Sequence, residues 1–145
     1  AMGAKVQLHH AGILDLDEFV KMPRKTRDIL VSVIVPKKVK AVVYLSQRNQ
    51  STDFPVLTCA AAKNADGEYR FAIGARPGKA VLYTLPADAG ETPELTSARF
   101  AASIRSRIKT ESNMRGSAEY RNHLAGVLTK RAVLELEQRK MQEEK

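Results

Sequence analysis

The chain is poor in the groups that carry chemistry. Of its 145 residues, one is cysteine and three are histidine. A single cysteine excludes an intramolecular disulfide, and Cys59, set in the apolar run VLTCAAA, reads as a small buried hydrophobe. One thiol fits a cytoplasmic protein. No Cys/His group has the spacing of a zinc site. No apolar run reaches the roughly 18 residues of a membrane-spanning helix, and no secretory signal is visible. The opening AMG reads as an expression scar and is set aside from fold reasoning. His9 and His10 are adjacent: in a strand they point to opposite faces, and otherwise they form a half-exposed pair near the terminus. His123 stands beside Asn122 on a helical stretch and reads as a surface or hydrogen-bonded histidine. Of the carboxylates Asp15 and Asp17, helix capping explains the first and solvation the second. No nucleophile, base and orienting group stand at persuasive spacing, so the residues read as a non-catalytic module.

Charge is what the chain has in excess, at +8. Residues 21–48 carry eight Lys or Arg against Asp28, residues 49–96 are slightly acidic, and the basic segment 97–145 alternates in sign. A basic run can mark a nucleic-acid surface. This one holds only Tyr44 as an aromatic and offers no stacking platform, so a solvated face or a protein-facing surface explains it better.

Hydrophobic periodicity then orders the elements. DLDEF, 15–19, reads as a short helix or turn, with Asp15 as cap and Glu18 completing a capping box. ILVSVIVP, 29–36, is β-branched and ends at a proline that cannot donate to a ladder. VKAVVYLS, 39–46, predicts a second strand. FPVLTCAAAK, 54–63, is apolar throughout and fits strand or helix alone, but the NADG that follows is a strong hairpin turn. That makes it a strand, with YRFAIGA, 69–75, returning. Tyr69, Phe71 and Ile73 then share one face. VLYTLPADAGETPE, 81–94, reads as a short apolar piece and a loop. From Leu95 the period changes to that of a helix: Phe100, Ile104 and Ile108 recur every four residues, with Thr96 or Ser97 as cap. A long helix follows from about residue 117, with Tyr120, Leu124, Val127, Leu128 and Leu134 on its apolar side and an end that frays. Strands first and helices after is the α+β order, against a Rossmann alternation.

GARPGKA, 74–80, follows a predicted strand and carries a Gly-Lys pair. A triphosphate-binding loop needs four residues between its glycine and that pair, and a hydroxyl after the lysine. Here the gap is three and Ala80 follows, so the loop reads as a turn at the sheet edge, its glycines taking conformations other residues avoid.

Three stretches together carry a resemblance. RGSAEYRNHLAGVLTKRA, 115–132, closely resembles the closing helix motif of the FAD-binding subunits of molybdenum hydroxylases, the family of the xanthine and carbon monoxide dehydrogenases. DILVSVIVP, 28–36, resembles the strand at the start of their C-terminal domain. YLSQRNQSTDFPVLTCAAAK, 44–63, with its NADG turn and AIGARPGKA, resembles their central hairpin. The resemblance covers roughly residues 12–135. It implies a CO dehydrogenase flavoprotein C-terminal domain over 12–145, after a linker or tail at 1–11: a three- to four-stranded antiparallel sheet packed against three helices.

In that family the domain follows two others that hold most of the FAD, and electrons pass from the molybdenum centre through two [2Fe–2S] clusters to the flavin. The resemblance therefore implies FAD in a parent subunit, none retained by this domain alone, and partnership with a molybdopterin-binding subunit and a [2Fe–2S] subunit. Two family contacts to FAD map onto this chain. A leucine in the strand ending at proline matches Leu30. A lysine after the aromatic of the next strand corresponds to Leu45, which has no ammonium to donate. As a leucine exposed near the sheet edge, Leu45 would favour a homodimer of the chain. In the closing motif, Gly116 is expected to make a tight turn, Ser117 a cap, and Tyr120 to lay its ring on the sheet. Arg115 and Arg121 are read as structural, with a subunit contact as the alternative. The expected role is support of a flavin cleft and subunit docking, with the parent subunit an oxidoreductase component. Two rivals stand beside it: a standalone scaffold of the same fold and a weak nucleic-acid-binding module.

Overall fold

The computed structural model describes residues 1–143 apart from 24, 26, 27, 38–40 and 65, with side chains as far as Arg139. The NADG turn closes as its chemistry demands. The Asn64 amide donates to the Glu68 carbonyl at 2.9 Å, and Gly67 takes φ +81°, a conformation glycine adopts without strain. The turn joins β5 (Leu57–Lys63) to β6 (Glu68–Gly74). With β4 (Ala41–Gln47) and β7 (Val81–Pro86) they form an antiparallel sheet in the order β4-β5-β6-β7. Small residues on β5 meet large ones on β6: Ala61 lies opposite Phe71 and Cys59 opposite Ile73. Tyr69, Phe71 and Ile73 are buried on one face, as their alternation predicts. Phe100 packs edge-on against Tyr69 at 5.2 Å and Phe71 at 5.7 Å. Burying one such ring stabilises the fold by roughly 1.5–3 kcal/mol.

Residues 81–86, expected only as a short apolar piece, are the full strand β7. Tyr83 and Leu85 are buried while Thr84 and Pro86 are exposed, so a period of two was present, ending in a proline the sheet edge tolerates.

Helix α2 (Pro93–Arg107) starts earlier than expected. The cap is Thr92, whose hydroxyl accepts from the Leu95 amide, and Pro93 takes the first helical position, where its missing donor is harmless. Thr96 and Ser97, the expected caps, are buried inside the first turn, their hydroxyls donating to Glu91 and to the Glu94 carbonyl. Helix α3 (Ala118–Glu143) is capped by Ser117, whose hydroxyl accepts from the Tyr120 amide at 3.1 Å. Its inward side is Leu124, Ala125, Leu128, Ala132, Val133 and Leu136, leaving Val127 and Leu134 at the margin. Tyr120 does not lie on the sheet: it is 42% exposed, and the helical phase turns its neighbour Arg121 inward instead. The two helices cross closely at Gly126, where an added Cβ would fall 2.5 Å from the Arg105 side chain.

The first part of the chain builds a second, smaller sheet, in the order β2-β1-β3. Its central strand β1 (Lys5–Leu8) lies within residues 1–11, the segment expected as a linker or tail. β2 (Gly12–Asp15) and the edge strand β3 (Leu30–Ile34) flank it. Val6 and Leu8 are buried on one face, while the other carries the Lys5–Asp15 ion pair and a Ser32–Gln7 hydrogen bond. The short α1 (Leu16–Lys21) packs against β1 and β2. Asp15 stands at its cap position but makes no side-chain capping bond, and it faces Lys5 across the strands instead. The Asp28 carboxylate accepts from the His10, Ala11 and Ile29 amides and so ties the β1–β2 turn to the start of β3. The architecture is the expected α+β. Of the three helices among the described residues, α2 and α3 cover the four-stranded sheet and α1 serves the smaller one.

Candidate functional site

The hairpin stretch and the closing-helix motif, far apart in sequence, meet at one corner. The loop after β4 runs through Asp53 and Phe54 to Val56, and the connector between α2 and α3 runs from residue 108 to 117. Arg121 joins them. Its guanidinium is buried, with Nε donating to the Val56 carbonyl, Nη1 to the Glu111 and Gly116 carbonyls, and Nη2 to the Asn113 side chain. The fork of donors suits several carbonyls converging from different directions. Burial, and secondarily the charge of Arg115, ease the proton off this guanidinium, which stays charged nonetheless. Every acceptor is neutral, so carbonyl dipoles compensate the charge. A buried group holding four protein atoms is not open to a neighbouring subunit, which removes the docking alternative for Arg121.

Arg115 adds a second tie at the surface. Its side chain pairs with Asp53 at 3.2 Å and lies over the Phe54 ring at 5.2 Å, while its carbonyl accepts from Asn49. Arg48 donates to the Asp53 carbonyl. Phe54 remains 74% exposed beside this pair. Gly116 sits in close approach, and an added Cβ would lie 3.1 Å from the Val56 side chain, which would have to shift by a few tenths of an ångström to admit it.

Leu30 and Leu45 fall on different sheets. Leu30, on the edge strand of the small sheet, is 46% exposed. Leu45, on the edge strand β4, shares the helix-facing side with Val43, is half-buried, and packs against the main core. Strand alternation turns the preceding Tyr44 to the opposite, open face, where it is 59% exposed. Sequence reasoning noted Tyr44 only as a lone aromatic. The period of two along AVVYLSQ was the signal that separates it from Leu45.

The GARPGKA loop is a structural turn. Gly74 has no room for a side chain, since a Cβ would meet the Thr58 hydroxyl at 2.7 Å. Arg76 donates to the Lys79 and Lys109 carbonyls, and Lys79 reaches the Met22 carbonyl at the end of α1. In the basic run of 21–48, Lys21 pairs with Asp17, Arg48 binds a carbonyl and Lys25 and Lys37 are exposed, while Arg24, Arg27, Lys38 and Lys40 lie outside the described residues.

The titratable groups are structural in the same way. Burial pushes the Cys59 thiol up to about 12, removing it as a nucleophile near neutrality. Burial, followed by a hydrogen bond to Glu137, raises the Tyr69 phenol; Lys63 binds the same carboxylate at 2.7 Å. His9 and His10 stack edge-on in the exposed β1–β2 turn, and His123 is exposed on α3. Among the described residues no cluster of three or more His, Cys, Asp or Glu could hold a metal, and no helix is long and apolar enough to cross a membrane. The arrangement holds loops in place and presents surface.

Comparison with known proteins fits this geometry. The family profile described as CO dehydrogenase flavoprotein C-terminal domain matches residues 43–136, which take in the four-stranded sheet, α2 and most of α3. Among solved structures, the chain is similar to carbon monoxide dehydrogenase from Hydrogenophaga pseudoflava, with TM-score 0.76 and 18% identity over 96% of this chain and 54% of that one. It is similar to quinoline 2-oxidoreductase from Pseudomonas putida 86, with TM-score 0.72 and 21% identity over 94% and 53%. It is also similar to CO dehydrogenase from Oligotropha carboxidovorans, with TM-score 0.72 and 18% identity over 93% and 53%. No curated protein sequence gives a significant match. The chain thus spans about half the length of the solved chains it resembles.

Proposed function

Because the chain belongs to the CO dehydrogenase flavoprotein C-terminal domain family, we propose that it is the supporting C-terminal domain of an FAD-binding subunit in a cytoplasmic molybdenum hydroxylase. Its role is to wall the flavin cleft and to dock the molybdopterin-binding and [2Fe–2S] subunits. The observation that carries this reading is the family match itself, which covers the four-stranded sheet, α2, most of α3 and the Arg121 corner.

The residues offer the flavin a partial fit. Leu30 presents an exposed apolar side chain suited to one wall of a cleft. Leu45 has no donor and rests against the core, so it supplies at most an apolar edge. The groups that would hold the FAD phosphates are therefore sought outside these two positions. When bound, the flavin supplies the redox chemistry; this chain supplies shape. The test is to express the chain together with the coding sequence that precedes it in its gene and to record the visible spectrum. Oxidised-flavin absorption is expected there and absent from the chain alone. A folded, colourless longer product refutes the flavoprotein reading.

Leu45 also favours a second reading, a scaffold that kept the fold and lost the flavin role. Neighbouring genes separate the two. Genes for a molybdopterin subunit and a ferredoxin-like subunit support the first, and their absence supports the second.

A further inference from the structure

The final turns of α3 reach the sheet through polar groups. Among the described residues Leu136 is the last one of the helix in the core, and of residues 137–143 only Met141 is apolar. The Glu137 carboxylate accepts from the Lys63 ammonium on β5 at 2.7 Å and from the Tyr69 hydroxyl on β6, and Lys63 lies over the Tyr69 ring at 4.7 Å. The Lys63 and Glu137 side chains are largely buried. Two residues on, Arg139 donates to the Val42 carbonyl of β4 at 2.9 Å and pairs with Glu135 at 2.7 Å. That second tie falls on a sheet edge, since β4 pairs only with β5 among the described residues. The Gln47 carbonyl accepts from Val56 on the β5 side, and strand alternation turns the carbonyls of Val42, Tyr44 and Ser46 the other way. Of those three, only that of Val42 finds a donor among the described residues.

We propose that residues 137–143 form a strap over the β4 edge, hinged past Leu136, that opens and closes as a unit while the core stays folded. The hinge is the point where one helix passes from apolar to polar anchoring. Release on the core side of it would expose Val133 and Leu136, whereas release on the far side hands a carboxylate, an ammonium and a guanidinium back to water. The segments that open first are those with the fewest buried apolar contacts. Glu137 and Arg139 lie within one helical turn, so their two ties close the same unit. Closed, the strap fills the Val42 acceptor and steadies the start of β4. Open, it leaves three outward carbonyls in a row along the edge. Both ties lie within this chain, so the inference depends neither on the flavin reading nor on a partner.

Hydrogen exchange of the full chain, read amide by amide with NMR, tests it. In the parent, amides 138–143 should be protected, yet exchange well ahead of amides 124–133 of the same helix. Their rates should rise little in low urea, because a local opening exposes little surface, while those of the core amides rise steeply. Glu137→Ala should speed 138–143 by about tenfold, the effect of losing a shielded hydrogen bond to a charged group. Arg139→Gln should speed them less, since its bonds are exposed. It should also speed the Val43 amide, which lies in the part of β4 that the strap steadies. Arg131→Gln, exposed on the same helix, should change neither. Equal rates and equal urea dependence across 124–143, or unprotected rates at 138–143 in the parent, overturn the hinge. Unchanged exchange at 138–143 in both variants overturns the ties, and an unmoved Val43 amide in Arg139→Gln overturns the hold on β4.

Discussion

Replacing Arg121 by methionine tests the corner that joins the two motif stretches. Methionine fills similar volume but donates nothing, so the carbonyls of Val56 and Glu111 lose their side-chain donor, while the Gly116 carbonyl and the Asn113 side chain each lose one bond and keep the Asn113 and Arg115 amides. Glu111 and Asn113 lie at the surface and can turn to water, whereas Val56 is fully buried and its carbonyl stays unpaired. One unsatisfied buried acceptor costs about 1–3 kcal/mol, and hydrogen bonds from a charged donor are each worth about 1.5–3 kcal/mol. Against that loss stands relief of the desolvation of a buried charge, several kcal/mol in itself. The balance is a destabilisation of about 3 kcal/mol, a large part of the 5–15 kcal/mol typical of a domain. Arg121→Lys keeps the charge, but a single ammonium cannot span four divergent acceptors, so it should restore less than half. Urea unfolding with a shared m-value measures both, and the exposed Arg131→Met serves as control, expected within about 0.5 kcal/mol of the parent. A loss under about 1 kcal/mol for Arg121→Met, or full rescue by lysine, refutes the corner as the element that fixes the connector.

Leu45→Lys should destabilise by about 1 kcal/mol, because the lysine stem can stay on the core while its ammonium reaches water from an edge strand. A loss of 3 kcal/mol or more in the same unfolding assay would make Leu45 wholly core and remove it from any flavin contact. Stability should fall as pH rises from about 9 to 12, since the unfolded Cys59 thiol ionises at 9.0 and the folded one only at about 12. Cys59→Ala flattens that part of the pH profile, and an unchanged profile refutes the assignment. Glu91 is held below the usual carboxylate range, chiefly by its hydrogen bonds to Arg99 and then by Thr96 against the opposing pull of desolvation. Its contribution is present above the unfolded pKa and is lost as pH falls through the lower folded one. Thermal unfolding from pH 6 to 3 should therefore be shallower for Glu91→Gln than for the parent, and identical slopes would count against the pairing.

The strands β3 to β6 were legible because their signals are local: β-branched runs, a terminal proline, and a turn whose glycine has one job. The helices were legible by period, but their edges were not. Thr92 and Pro93 fall in a stretch, 81–94, whose composition reads as loop, although proline suits the first helical turn. β1 and β2 have four residues each, too few for alternation to stand out. Tyr120 and Arg121 show the sharper limit. A tyrosine is the expected core residue and an arginine the expected surface residue. The reverse holds here because carbonyls from two distant loops converge on the inward position, and no local pattern announces them. Leu45 could be placed on a strand, but which face it shares depended on register.

The four-stranded sheet is a meander, each strand hydrogen-bonded to its neighbour in sequence. Such contacts close short loops and form early at little entropic cost. The exception is α3, which follows the sheet and α2 and returns across the sheet to β4 and β5, where Arg121 takes hold of Val56, 65 residues back. Closure of the domain is therefore a long-range event that follows hairpin formation. An emerging chain can zip its sheet on the ribosome but cannot seal it until α3 has been made, and in that interval the side of β4 and β5 that α3 covers stands open to chaperones and to other chains.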